Sequence, residues 1–568
     1  MCNLKQEIRI FNPIIIIIFA AFILRIWGIN HNFPDVNRYF YETEEYPSVQ
    51  IAMGFGGGDL NPYSFNKPSL YYYLLFGHYG FFYLLGKALG FFNNLTDFVK
   101  FYFNSTWIFY LIGRLLSVIF GVASIYMAYR IGREIFDRKV AIITSAMLAI
   151  TPIHVEFSQQ ALPDILGLFL SLASVYFSLL AYKNFSLKNL ILSSIFAGLA
   201  LSSKYHYGFI ILALFVIIFM QASKERRAKY YYFKIILICL LLFILAFIIG
   251  TPFAVLDYKY FLRSILELEK AKAGSSVLLG HRENIPNWWI EHLFQLARPN
   301  TFGIGMLFIS ILGVFFAFIR HTWKYIVLLS IVLFFYAFFS VSKWIWSPAH
   351  YLLVIIPYLL LLGNSFVVDS FSKLKINRLS QIILFLIIAL PPFITVCIND
   401  NLNSYPDTKS VAKKWIESNI VKGSKILMDK FYVPQLSLTE DTLERFTAER
   451  ISEDCKLLPS YRAIESKNKY TYLRDKSLTQ IGKPYNIYLI YSNNMHDIEE
   501  YKKKNNIEYI ILSGEAKKIY LDIFPFNIDR GNMLGFYDSV KKKCTLIKEF
   551  KPNWRNLPGP EIEIYRVN

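Results

Sequence analysis

Apolar runs of roughly 16 to 22 residues recur along the first 400 positions, separated by short clusters of Lys and Arg. Past about Leu402 the long runs stop, and apolar positions come in strands and short amphipathic stretches. A run of about 20 apolar residues crosses a hydrocarbon layer about 30 Å thick as a helix, and short basic loops mark the cytoplasmic side. Those loops are Lys5/Arg9, Arg130/Arg133/Arg138/Lys139, Lys183/Lys188, Lys224/Arg226/Arg227/Lys229/Lys234, Arg320/Lys324 and Lys373/Lys375/Arg378. Between the first two lie three apolar stretches, 14–29, 69–92 and 107–129, although loops on one side are separated by an even number of crossings. Stretch 69–92, dense in Tyr and Phe and carrying His78 and Lys87, is therefore expected to lie at the interface. Crossings are predicted at 14–29, 107–129, 140–157, 164–182, 189–202, 206–222, 235–250, 303–319, 325–341, 350–368 and 380–398. That makes about eleven, which puts the N-terminus in the cytoplasm and the C-terminus outside. The first stretch has no small-residue cleavage site and is read as a retained helix.

The pattern divides the chain into a membrane part, 1–400, with a first outer loop at 30–106, and an extracytoplasmic α/β domain, 401–568. In the second part Ser410–Ser418 and Ile498–Asn506 read as helices, and Lys425–Met428, Ile487–Tyr491, Tyr509–Leu512 and Ile562–Arg566 as strands. It has neither a Gly-rich phosphate loop nor a nucleophile motif, so it is expected to pack on the membrane part or shape an acceptor site.

Composition sharpens this. Of 568 residues, 55% are hydrophobic and 17% aromatic, beyond what a soluble core requires. The net charge of +19 is no nucleic-acid signature. Residues 401–568 hold 28 basic and 22 acidic side chains, hence +6, and the other +13 belongs to the membrane part. The five cysteines have neither zinc nor redox spacing. Cys239 and Cys397 fall in apolar helices; Cys455 and Cys544 share the tail and are able to pair if it is extracytoplasmic. No close His/Asp/Glu set has metal spacing, so no metal or other cofactor is implied.

The candidate chemistry gathers on the predicted outer face. The first loop supplies Asp35, Glu42, Glu44, Glu45, Asp59 and Lys67. The second outer segment, Thr151–Asp164, carries His154 and Asp164; the third carries Lys204 and His206, and Arg114 lies near the outer end of its helix. An ionisable group in lipid costs about 2.5 to 3.5 kcal/mol on insertion scales, so each needs a partner or a purpose. Attack of a hydroxyl on a sugar carbon needs a carboxylate to take the proton. A phosphate leaving on a polyprenyl chain needs cations, for which Lys67, Arg114 and Lys204 are suited, Arg114 by a bidentate grip. Each also has a plainer reading. Glu42 is a solvated acid; Glu45 caps or pairs; Asp164 is an N-cap; Lys204 snorkels; Arg114 is a structural ion-pair partner. His154 and His206 read as satisfied structural histidines.

The order of these motifs resembles the dolichyl-phosphate-mannose protein mannosyltransferase superfamily, and more closely its prokaryotic branch that includes the aminoarabinose transferases of lipid A. The matching positions are Glu44-Glu45, Gly58-Asp59-Leu-Asn-Pro62, Lys67-Pro-Ser-Leu-Tyr-Tyr72 and Gly113-Arg114. They continue as Pro152-Ile-His-Val155 with Ser158 and Asp164, Ser203-Lys204-Tyr205, Thr251-Pro-Phe253, His350-Tyr-Leu-Leu353 and Gly559–Tyr565. No single motif is specific; their order and sidedness are.

The resemblance implies a GT-C-like polytopic α-helical membrane glycosyltransferase. It would use a polyprenyl-phosphate-linked sugar donor and a protein, lipid or glycan acceptor at the outer face of the cell membrane. It maps the general base to Glu44, with Glu45 or Asp35 as alternatives; the residues themselves add Asp164 as a further catalytic carboxylate. Donor phosphate contacts fall to Lys67, Arg114, Lys204 and His350. Two positions depart from the family pattern: Glu44 replaces the usual Asp, and His350 the usual Arg, which makes that phosphate contact pH-sensitive. One base with no carboxylate nucleophile would invert the anomeric carbon. The rivals are a transporter of lipid-linked sugars, which would place charges near the midplane and show repeats, and a non-catalytic assembly protein.

Overall fold

The computed structural model describes residues 13–31, 33, 45–184, 186–224, 229–266, 287–342, 351–429, 432–439, 441–442, 484–490, 505–518, 530–553 and 555–567. Seven helical segments among them are long and apolar enough to cross a membrane, beginning at Thr106, Asp164, Tyr205, Tyr230, Trp323, Leu353 and Arg378. An eighth is formed if Arg138–Ala149 and Pro152–Ser158, bent by 63° at Thr151, count as one span. Pro13–Ile26, Leu187–Ser203 and Ile304–Arg320 are apolar but shorter. The chain is a multi-pass membrane protein. Each stretch predicted to cross overlaps one of these helices or the bent pair.

Leu70–Ala88 is a 19-residue helix that is not among the spans. Its Tyr71, Tyr72, Leu75 and Tyr79 are buried, while Phe81, Leu84 and Leu85 are exposed. The Tyr71 and Tyr79 hydroxyls donate to the Gly113 and Phe109 carbonyls of the Thr106–Ile135 helix at 3.1 and 3.0 Å. Buried phenols need such partners, and these fix the helix against the bundle by one face.

The end of the bundle that carries the polar segments is tied by a network around Arg25, which is fully buried. It donates to the Ala21 and Ala149 carbonyls, to Ser158 Oγ, and to His154 Nδ1 at 2.7 Å. Because a guanidinium only donates, His154 Nδ1 is the acceptor and Nε2 carries the proton. Nε2 then donates to Ser124 Oγ at 2.8 Å, and that hydroxyl donates to the Gly121 carbonyl. A methyl at Gly121 would come within 2.3 Å of Ser158 Oγ, so only glycine admits this packing. Gln159 Nε2 donates to the Leu24 and Trp27 carbonyls and to Asp400 Oδ1 at 2.8 Å, joining the first helix to Arg378–Asn403.

Beyond that helix, Thr408–Asn419 leads into a six-stranded sheet: β1 Lys425–Met428, β2 Ser437–Leu438, β3 Pro484–Leu489, β4 Tyr509–Ser513, β5 Cys544–Phe550 and β6 Ile562–Val567. The order is β2-β3-β1-β4-β6-β5, with β2, β3, β1 and β4 parallel and β6 and β5 antiparallel. Strands β2 and β5 were not anticipated. β5, CTLIKEF, carries two charges and a bulge between Leu546 and Lys548, and its outward Leu546 breaks the alternation that identifies a strand. The predicted helix at Ile498–Asn506 lies mostly outside the described residues, as does Cys455, and with it the pairing with Cys544, which is buried.

Candidate active site

Glu45 opens the Glu45–Gly54 helix and is 2% exposed. Arg114, from the first third of Thr106–Ile135, is 0% exposed and grips it bidentately: Nε and Nη2 donate to Oε1 and Oε2 at 2.9 and 2.6 Å. Arg114 Nη1 donates to the Ile29 and His31 carbonyls at 2.7 and 2.6 Å, and its guanidinium lies 4.6 Å from the Phe33 ring centre. The Ala161 amide donates to Glu45 Oε1 at 2.6 Å. A methyl at Gly113 would lie 2.7 Å from the Ala161 Cβ, so Gly113 lets that amide reach the carboxylate. Burial alone would raise the Glu45 carboxyl, yet the charge and hydrogen bonds of Arg114 and the Ala161 amide hold it below the usual carboxylate value. Burial, reinforced by Arg114, pushes the His31 imidazole down to about 4, so it is neutral at pH 7. Its Nδ1 donates to the Gly28 carbonyl at 2.9 Å.

Three residues beyond Ala161, Asp164 starts the Asp164–Asn184 helix, where the helix dipole favours negative charge. Its Oδ1 accepts from Lys204 Nζ at 2.5 Å, while Oδ2 is buried with no partner among the described residues. Asp164 therefore holds Lys204 and does not cap its own helix. Lys204 sits where Leu187–Ser203 ends in extended backbone, its side chain 12% exposed, with Nζ 5.4 Å from the centre of the Tyr351 ring. Ser203 Oγ donates to the Pro163 carbonyl at 2.8 Å, clamping the two carriers of this pair.

The Lys67 segment joins from the other side. The Tyr205 hydroxyl donates to the Phe65 carbonyl at 2.8 Å, and the Ser69 amide reaches Thr251 Oγ1 at 3.4 Å. Thr251 Oγ1 also hydrogen-bonds Ser202 Oγ at 2.6 Å. Lys67 is half-buried between these anchors. Lys67, Asp164 and Lys204 are thus brought to one end of the bundle with Glu45 and Arg114, and their formal charges, three cations and two carboxylates, sum to +1. Glu44 and His350, with Asp35 and Glu42, lie outside the described residues. Sequence reasoning missed Tyr351; its place beside His350 in a polar-aromatic break was the available signal. Among the described residues, the one acidic group with metal-ligand spacing is Glu549, Glu561 and Glu563 in the tail, and Lys541 and Lys551 already pair with it.

Residues 109–249, which contain Arg114, Asp164 and Lys204, match the family described as dolichyl-phosphate-mannose-protein mannosyltransferase. The oligosaccharyltransferase of Archaeoglobus fulgidus, in its apo form, superposes with a TM-score of 0.50 at 11% identity, covering 92% of this chain and 72% of that one. The chain has a GT-C-like fold. ArnT from Cupriavidus metallidurans gives a TM-score of 0.48 at 12% identity in the apo state, covering 97% of both chains. Bound to undecaprenyl phosphate, the same enzyme gives 0.47 at 11% identity with the same coverage. No curated protein matches this chain in sequence.

Proposed function

We propose that the chain transfers a sugar from a polyprenyl-phosphate donor to an acceptor hydroxyl at the extracytoplasmic face. The observation that carries this is the incomplete Asp164–Lys204 pair beside the Lys67 segment, inside the region that matches the mannosyltransferase family. Lys204 and Lys67 meet the donor phosphate, and Asp164, too buried to touch an acceptor, positions Lys204. Arg114 and Glu45 saturate one another, so their role is to hold the first loop against the bundle. Glu44 remains the general base assigned from sequence. It takes the hydroxyl proton as the acceptor oxygen bonds to the anomeric carbon, and the electron pair of the breaking C–O bond leaves with the lipid phosphate. With one base and no carboxylate nucleophile, the anomeric carbon inverts.

The test uses purified protein in liposomes with radiolabelled polyprenyl-phosphate sugar. Release of the lipid phosphate with transfer of label is expected from the native chain, and loss of both from Glu44→Gln and Lys204→Met. Movement of intact donor across the bilayer without cleavage would overturn the proposal in favour of a transporter.

A further inference from the structure

A cleft of about 620 Å³ opens between the end of the bundle that carries the ion pairs and the α/β domain, away from the Asp164–Lys204 pair. One wall comes from the turn after the first helix and from the start of Thr106–Ile135; the other comes from residues 403–413 and the segment at Val433 and Gln435. That volume falls in the range of small-molecule sites, about 300 to 1,000 Å³. Its lining is unusual for a lipid or an apolar peptide. Trp107 and Tyr405, from opposite walls, are 48% and 42% exposed. The lining also holds the amides Asn30, Asn104, Asn403 and Gln435.

We propose that this cleft binds a saccharide, the acceptor of the transfer. An amide both donates and accepts, as does each hydroxyl of a sugar, so a lining rich in amides can pair hydroxyls in either sense. Exposed indole and phenol faces offer apolar area to the C–H face of a pyranose while their polar edges stay wet. The charged lining side chains are of both signs, Lys409 held 3.3 Å from Asp407 with Lys413 nearby in the lining, so the amides and rings rather than a single-sign field characterise the cleft. The cleft also touches the machinery. Ile29 and His31 line it, and their carbonyls are the two that accept from Arg114, which holds Glu45. A saccharide seated here lies against the backbone that carries the first loop into the site.

The acceptor role rests on the transferase proposal, but the binding does not, so binding is read without donor. Full-length protein in detergent is titrated with linear mannotriose and maltotriose and, separately, with a Ser/Thr-containing acidic heptapeptide, by saturation-transfer NMR and calorimetry. Saccharide binding that weakens tenfold or more in Trp107→Ala is the expected result. Should that variant fail to fold, Tyr405→Ala on the opposite wall carries the same test. Absence of saccharide binding, binding unchanged in a folded variant, or heptapeptide binding alone overturns the assignment. A chain that binds saccharide yet never cleaves donor sinks the transferase proposal and leaves the cleft.

Discussion

Two carboxylate–cation pairs lie close together in this protein and are finished differently. In Glu45–Arg114 both carboxylate oxygens are taken, one of them twice, and the guanidinium spends its remaining donors on two carbonyls. In Asp164–Lys204 one carboxylate oxygen is bonded and the other is buried without a partner among the described residues, and the ammonium retains some exposure. A buried ion pair repays its desolvation only when the remaining lone pairs and protons are satisfied. The first pair meets that condition and works as a joint. The second falls short, and a site that must receive an anionic group has reason to fall short.

The sharpest way to break the comparison is to remove one member of the saturated pair. Glu45→Ala leaves a buried guanidinium uncompensated and is expected to cost about 3 to 5 kcal/mol. Thermal unfolding in detergent checks this, with Arg114→Met/Glu45→Leu recovering most of the loss because neither charge is then stranded. A Glu45→Ala protein of native stability would show that the pair is not the joint.

Lys204→Met should do the reverse, leaving the melting temperature near native while lowering turnover on the order of 10²- to 10³-fold, the usual effect of losing one group that meets developing charge. Lys204→Arg, which keeps the charge, should recover part of the rate. Equal losses in stability and turnover would make Lys204 a second structural cation and erase the contrast.

The contrast was only half legible in the sequence. Intramembrane charge is expensive enough that Arg114, Asp164 and Lys204 stand out from composition and position alone. Nothing in one dimension says which carboxylate meets which cation. Arg114 was as plausible a phosphate grip as a structural partner until the Ala161 amide and the Ile29 and His31 carbonyls were seen to use its surroundings up. Arg25 gives no such signal, although it anchors the His154–Ser124 chain, because its side-chain partners Ser158 and His154 lie more than a hundred residues away. The tail was readable where its strands are buried and apolar, as in β1 and β4, and unreadable at the charged edge strand β5.

Asp429 extends the comparison to a buried carboxyl with no cation. It follows β1, accepts from the Ser513 amide at 2.7 Å and the Tyr537 hydroxyl at 2.8 Å, and is pushed up to about 7 by burial. Its unfolded value is 3.8, so the native state binds the proton more tightly. Stability from this group therefore falls as pH rises between about 4 and about 7 and is level above. Asp429→Asn cannot ionise. The full-length variant should melt higher than the native chain above pH 7, by at most roughly 4 kcal/mol, with the difference closing near pH 4. A gap that does not change with pH would assign the effect to packing.

The smallest effect belongs to a pair that water can reach. Asp369 accepts from Arg320 and Lys373 at 2.9 Å each, with the Asp369 and Arg320 side chains about one-third exposed and Lys373 more so. Exposed pairs are screened and lose side-chain entropy, so Asp369→Asn should change stability by less than about 1 kcal/mol and turnover not at all. If instead it matched Glu45→Ala, local saturation would not be what separates a joint from a site. Membrane depth would then be the governing variable, and the open Asp164 oxygen would lose its significance.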